Sequence, residues 1–208
     1  MIVKVCGMRD ADNIRAVEQL GVDWMGFILY KRSPRFVASP PAYMPCRAKR
    51  VGVTVGMPVS QVVQAQKLFG FDIIQLHGNE NPNYCMSLQH MLPLGVQIIK
   101  KISVGSVRNL YDLDAYVRHV DYFLFEPSTL AHGGSGTKFD WTLLSHYHHS
   151  TPFILAGGIG PEDIEALHRF THPQWAGIDL NSRFETKPAL KDVDTLRQFI
   201  HCLQTDSL

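Results

Sequence analysis

The sequence predicts an α/β fold, a single-domain (β/α)8 TIM barrel, on three observations. Eight short runs rich in apolar and β-branched residues recur at unit spacings of roughly 20 to 30 residues. Most are followed by a stretch whose apolar residues fall at helical spacing. Residues able to do chemistry cluster where the runs end, and parallel barrels keep their functional groups at the carboxyl ends of their strands. Parallel β/α units in this number, with right-handed crossovers, close most naturally into a barrel. A doubly wound open sheet is the structural alternative. It usually carries a glycine fingerprint after its first strand, and Cys6-Gly7-Met8-Arg9-Asp10 is no GxGxxG.

The units can be taken in order. Residues 2–6 form the first strand, ending in the thiol of Cys6 and then Gly7. Asp10 caps the following helix, whose Ile14, Val17 and Leu20 share one face and which Gly21 closes. Residues 22–29 read as the second strand. The connection from Ser33 to Pro41 is too rich in proline for a full helix, so a short or irregular helical layer is expected after strand 2, with Arg35 just past the strand end. Residues 51–55 give a third strand, and Val59, Val62, Val63 and Phe69 its helix. Residues 73–76 give a fourth, ending in His77-Gly78, with Cys85, Leu88 and Leu92 on the next helix. Residues 96–102 form the fifth strand, with Leu110, Leu113 and Val117 as a fifth helical face. Residues 122–125 form the sixth, ending at Glu126. Residues 153–156 lead into Gly157-Gly158, residues 176–180 into Asn181-Ser182, and a last helix carries Val193, Leu196, Ile200 and Leu203.

Composition bounds the function. With 208 residues and 45% hydrophobic content the chain can bury a full core and fits one domain, residues 1–208, better than two. A formal net charge of +1 gives no tract for nucleic acid, so an anionic ligand must be held by local geometry. Cys6, Cys46, Cys85 and Cys202 are far apart and lack metal-finger spacing, which argues against a disulfide framework and a structural zinc site. No signal-type leader and no membrane-length apolar run is present, so a cytoplasmic protein without a membrane partner is expected.

At the strand ends stand Cys6, Arg35, His77, Glu126, Gly157, Gly158, Asp179, Asn181 and Ser182, a mixture of acid, base and anion-binding features. The turns at Gly157-Gly158-Ile159-Gly160 and Asn181-Ser182 offer closely approachable amides of the kind a phosphate monoester needs, although glycine after a strand is also ordinary turn chemistry. The segment Gly133-Gly134-Ser135-Gly136-Thr137-Lys138-Phe139 lacks the order of a nucleotide P-loop and reads as a loop over the pocket whose amides add to an anion site, or as plain connecting chain. His146-Tyr147-His148-His149 resembles a metal tract by composition but falls on the amino-terminal side of the barrel. Trp24, Trp141 and Trp175 read as packing residues, and Cys202 as a core or boundary thiol.

Along the chain stand the motifs Val3-Lys4-Val5-Cys6-Gly7, Ser33-Pro34-Arg35-Phe36-Val37, Val51-Gly52-Val53, Gln75-Leu76-His77-Gly78, Ile98-Ile99-Lys100, the glycine-rich segment through Asp140-Trp141, Leu155-Ala156-Gly157-Gly158-Ile159 and Gly177-Ile178-Asp179-Leu180-Asn181-Ser182. Each is weak alone; in this order they are specific. Over nearly its whole length the chain resembles phosphoribosylanthranilate isomerase of tryptophan biosynthesis. The resemblance implies an Amadori rearrangement of a small-molecule phosphosugar-anthranilate substrate without cofactor or metal, in a monomer or homodimer. It implies Cys6 as general base, its pKa of about 8.5 modestly lowered to supply thiolate. It further implies Arg35 on the anthranilate carboxylate, and Gly134, Ser135, Gly136, Gly157, Gly158, Asn181 and Ser182 on the phosphate. His77 is expected to be a hydrogen-bonded pocket residue, and Asp179 a pocket residue and the reserve acid. One departure stands out: the family ends its sixth strand with aspartate as general acid, and this chain has Glu126. The chemistry is kept in kind, but one methylene moves the carboxyl by about 1 Å. Another phosphosugar isomerase or epimerase, or a barrel that binds phosphosugars without turnover, are the alternative readings.

Overall fold

The computed structural model describes residues 1–128 and 140–205. Eight parallel strands close into a barrel in sequence order: β1 (Ile2–Cys6), β2 (Trp24–Ile28), β3 (Lys49–Thr54), β4 (Ile73–Leu76), β5 (Gln97–Val104), β6 (Tyr122–Pro127), β7 (Phe153–Leu155) and β8 (Trp175–Leu180), with β8 paired back onto β1. The outer layer is uneven. α1 (Ala11–Glu18), α2 (Val59–Phe69) and α3 (Pro82–Met91) are regular helices, and Asp10 caps α1 by accepting from the Asn13 N–H at 2.9 Å. After β2 the chain runs without a helix to β3, as the prolines of that connection require. The face marked by Leu110, Leu113 and Val117 is two single turns, α4 (Arg108–Tyr111) and α5 (Asp114–Val117), rather than one helix. α6 (Ile164–Arg169) and α7 (Val193–Thr205) complete the layer.

Strand alternation sorts the side chains into two cores. Val5, Phe27, Ile74, Ile98, Phe123, Phe125 and Leu155 point outward and are covered by the helical layer. The inner set is Cys6, Trp24, Val51, Val53, Ile73, Ile99, Leu124, Ile154 and Ala156. Trp24 packs edge-on against Tyr122 low in this lumen, and Trp141 and Trp175 each pack edge-on against Phe170, so all three tryptophans serve packing.

Two further features depart from the sequence pattern. A small antiparallel hairpin, β9 (Glu185–Lys187) and β10 (Leu190–Lys191), follows β8 and lies outside the barrel sheet. Cys202 is exposed on α7, because the buried stripe of that helix is Leu196, Phe199, Ile200 and Leu203. All four cysteines are free thiols. No helix of the described residues is long and apolar enough to cross a membrane.

Candidate active site

The carboxyl ends of the strands surround a cavity of about 300 Å³. Of the residues singled out in the sequence, Cys6, His77, Glu126, Gly157, Gly158, Asp179, Asn181 and Ser182 all line it. Gly134, Ser135 and Gly136 lie outside the described residues.

Cys6 is the last residue of β1 and is buried. Its Sγ lies against β2 where Gly26 leaves room: a Cβ built there would stand 2.7 Å from the sulfur. One turn of the pleat below Cys6, the fully buried Lys4 donates from Nζ to Asp179 Oδ1 of β8 at 2.9 Å. The sequence reading expected a lowered thiol pKa, and the structure reverses it. Burial pushes the thiol up; Lys4 opposes, Asp179 adds to the rise, and Lys191 opposes, with a net upward result. Lys4 itself is held charged, because the attraction of Asp179 and Cys6 together outweighs the burial that disfavours its cation.

Across the cavity, Glu126 of β6 sits between two donors. His77 Nε2 is 3.5 Å from Oε2 and Lys101 Nζ is 3.3 Å from Oε1. The amide nitrogen of Gln75 meets His77 Nδ1 at 3.0 Å; an amide nitrogen only donates, so the ring proton is on Nε2, facing the carboxyl. Burial, then Lys101, Lys4 and Lys100, push the His77 pKa down to about 4, with Glu80 opposing, so the imidazole is neutral at pH 7. Burial raises the Glu126 carboxyl above its ordinary range in spite of Lys101, its nearest cation.

The turn after β7 builds the other wall. Gly157 has φ +94°, and a Cβ on it would stand 2.0 Å from Pro127, so only glycine fits; Gly158 follows at φ +79° with open space where a side chain would be. Among the described residues neither of their N–H groups is taken by a hydrogen bond. Ser182 and Arg183 face them from the turn after β8. Arg183, which sequence reasoning did not single out, brings a cation to this wall and pairs with Glu162 at 2.6 Å.

Arg35 is placed differently from the sequence expectation. Its Nε donates to both oxygens of Glu185, at 2.9 and 3.0 Å, and its Nη2 to Oε2 at 2.5 Å. The fork expected to face a ligand carboxylate already grips a carboxylate of β9, and Arg35 is not among the residues that line the cavity. Glu185 also accepts from the buried Lys191 at 2.6 Å, and Lys191 donates to Asn181 Oδ1 at 2.8 Å. One buried carboxylate thus joins the Arg35 side of the mouth to the Asn181 turn. Among the described residues no group of three or more His, Cys, Asp or Glu side chains is arranged to hold a metal. In the histidine-rich tract, Tyr147 is buried with its hydroxyl on the Thr151 carbonyl at 2.6 Å, and His149 lies 3.3 Å from Asp114.

Lys4, Lys101, Glu185 and Lys191, like Arg183, are not singled out by the sequence. For two of them a signal existed. Period-two alternation puts Lys4 on the face of Cys6, and Lys101 on the face of Ile99, inside the barrel, whereas Lys100 of the Ile98-Ile99-Lys100 motif points outward and pairs with Glu80 at 3.0 Å.

Fold and site together define a (β/α)8-barrel protein with a thiol, a carboxyl and an amide-lined cup at the carboxyl-terminal mouth. The family model of N-(5'-phosphoribosyl)anthranilate isomerase matches residues 3–202. The chain is 45% identical to the N-(5'-phosphoribosyl)anthranilate isomerase of Phocaeicola vulgatus over 98% of both chains. It is 44% identical to that of Parabacteroides distasonis over 96% of this chain and 92% of the relative. The crystal structure of phosphoribosyl anthranilate isomerase from Thermotoga maritima superposes with a TM-score of 0.81 at 26% identity over 98% of each chain. The chain belongs to the phosphoribosylanthranilate isomerase family.

Proposed function

We propose that this protein isomerises N-(5'-phosphoribosyl)anthranilate to 1-(2-carboxyphenylamino)-1-deoxyribulose 5-phosphate, with Glu126 as general acid and Cys6 as general base. The observation that carries the reading is the convergence of Cys6, Glu126 and the Gly157-Gly158 and Asn181-Ser182 turns on one cavity. The phosphate rests on those turns beside Arg183, and the anthranilate carboxylate lies toward Arg35, whose guanidinium is held by Glu185. Glu126 gives its proton to the furanose ring oxygen as the C1'–O bond breaks and a Schiff base forms. The Cys6 thiolate then removes the C2' proton, and the enolamine tautomerises to the ketone. Water is neither added nor lost.

The proton inventory fixes the pH dependence. The active pair carries one proton, on Glu126 and not on Cys6. Burial raises both pKa values, and the carboxyl remains the stronger acid, so activity rises as the first proton leaves the pair and falls as the second leaves. The Lys4 and Lys191 charges favour the active arrangement by stabilising thiolate.

The test is turnover of phosphoribosylanthranilate, generated in situ from anthranilate and phosphoribosyl pyrophosphate, by wild type, Cys6→Ser, Glu126→Gln and Glu126→Asp. Wild-type turnover abolished in Cys6→Ser and Glu126→Gln supports the reading. Full turnover in either variant removes that residue from its role, and phosphate binding without wild-type turnover favours a barrel that has lost its reaction.

A further inference from the structure

We infer that Lys101 is the positioning residue of the acid, a cation set inside the barrel to aim the Glu126 carboxyl and hold its charge once the proton has gone. This rests on the reading of Glu126 as the acid. Lys101 pairs across the sheet with Leu124, so it starts one layer below Glu126, whose own partner on β5 is Ser103. Its side chain rises through that layer and ends 3.3 Å from Glu126 Oε1 and 3.0 Å from Ser103 Oγ. It does not line the cavity. It therefore acts through Glu126 and not on the substrate.

The arrangement answers the extra methylene of glutamate. A longer carboxylic acid has one more rotatable bond, and an acid off its target by about 1 Å loses much of its effect. Here one oxygen is tethered from beneath by Lys101 and the other faces the His77 Nε2 hydrogen, so the carboxyl is held from two sides. The ammonium also offsets the cost of leaving a carboxylate in a buried site after proton transfer. Other charges bear on the same group: His77 just past β4 is neutral, Asp179 on β8 repels the carboxylate, and Lys100 attracts it from the outer face of β5. Just past β7, the remaining neighbour, Ala156 lines the cavity and brings no titratable group.

The experiment measures the Glu126 side-chain carboxyl by carbon NMR titration of the full-length protein without substrate, in wild type, Lys101→Met and Lys101→Arg, beside the pH profile of kcat/KM. The sign follows from the charge: removing the cation favours the protonated acid. In Lys101→Met the Glu126 titration and the lower limb of the profile both move to higher pH, KM is unchanged because the ends of the substrate lie elsewhere, and Lys101→Arg returns both toward wild type. Lys101→Gln repeats the measurement should the methionine variant fold poorly. An unmoved Glu126 titration in Lys101→Met or Lys101→Gln overturns the inference and leaves the acid assignment standing. Wild-type turnover in Glu126→Gln overturns the acid assignment itself, whatever the titration shows.

Discussion

Gly26→Ala isolates the placement of the proposed base, Cys6, from its chemistry. Gly26 lies on β2, outside the positive-φ region, so alanine meets no backbone strain there. What it meets is Cys6: the new methyl would stand 2.7 Å from Sγ, 3.1 Å from Cα and 3.2 Å from Cβ, where ordinary contact begins at 3.4 Å. The thiol must retreat by about 0.7 Å or the two strands must part. A misplacement of about 1 Å costs on the order of 100-fold in rate, so a somewhat smaller one predicts a loss of about 10- to 100-fold in kcat, or about 1.4–2.7 kcal/mol of transition-state stabilisation. Overpacking of this kind costs about 1–3 kcal/mol in stability. Steady-state kinetics on phosphoribosylanthranilate, with a urea titration as control, reads both. KM is expected to hold, because Arg35 and the turns proposed to hold the phosphate are untouched. A variant with kcat within about twofold of wild type, in a protein that Cys6→Ser inactivates, would show that the Cys6 position tolerates displacement and that the geometric reasoning is wrong.

Other predictions follow the buried charges. Glu185→Gln leaves Arg35 and the fully buried Lys191 side chain without their shared carboxylate, and should destabilise the fold by about 3–5 kcal/mol in a urea titration and raise KM; a loss below about 1 kcal/mol would mean the pairs are solvated. Lys4→Met removes the cation that pulls the Cys6 thiol down and strands Asp179, so the upper limb of the pH profile should move further up and turnover at pH 7 should fall; an unchanged upper limb would detach Lys4 from the base. Burial alone would raise the Glu80 carboxyl, but the Gly56 N–H and the Lys100 charge together hold it below its ordinary 4.5. That stability is present above the ordinary value and lost as pH falls through the lower folded one, so Glu80→Gln should flatten the acid decline of the urea midpoint, and an equally steep decline would place the acid sensitivity elsewhere.

Much of the fold was legible because barrel strands announce themselves twice, by apolar β-rich runs and by the helical periodicity between them. β4 at Ile73–Leu76 and α2 at Val59–Phe69 lie where their patterns put them. The two single turns α4 and α5 were less legible: Leu110 and Leu113 are buried at helical spacing, but the chain between them does not continue one helix. The hairpin β9–β10 has strands of three and two residues, too short to carry an alternation, and its turn is made at Ala189 with φ +66°, a residue type that does not advertise a left-handed bend.

For the site, the sequence by itself determined which groups stand at the strand ends, since residues at and just past the carboxyl end of a barrel strand open onto the mouth wherever the strand begins. Cys6, His77, Glu126 and the turns at Gly157-Gly158 and Asn181-Ser182 were readable for that reason. Only the tertiary structure decided their states and partners. Closing the sheet brings β8 beside β1 and so sets Asp179 on Lys4, 175 residues apart in the chain. The hairpin carries Glu185 onto Arg35 across 150 residues. The same closure buries Cys6 so deeply that its pKa rises where an exposed thiol near lysine would fall. Desolvation and pairing depend on what surrounds a group in space, and a linear pattern records only what precedes and follows it.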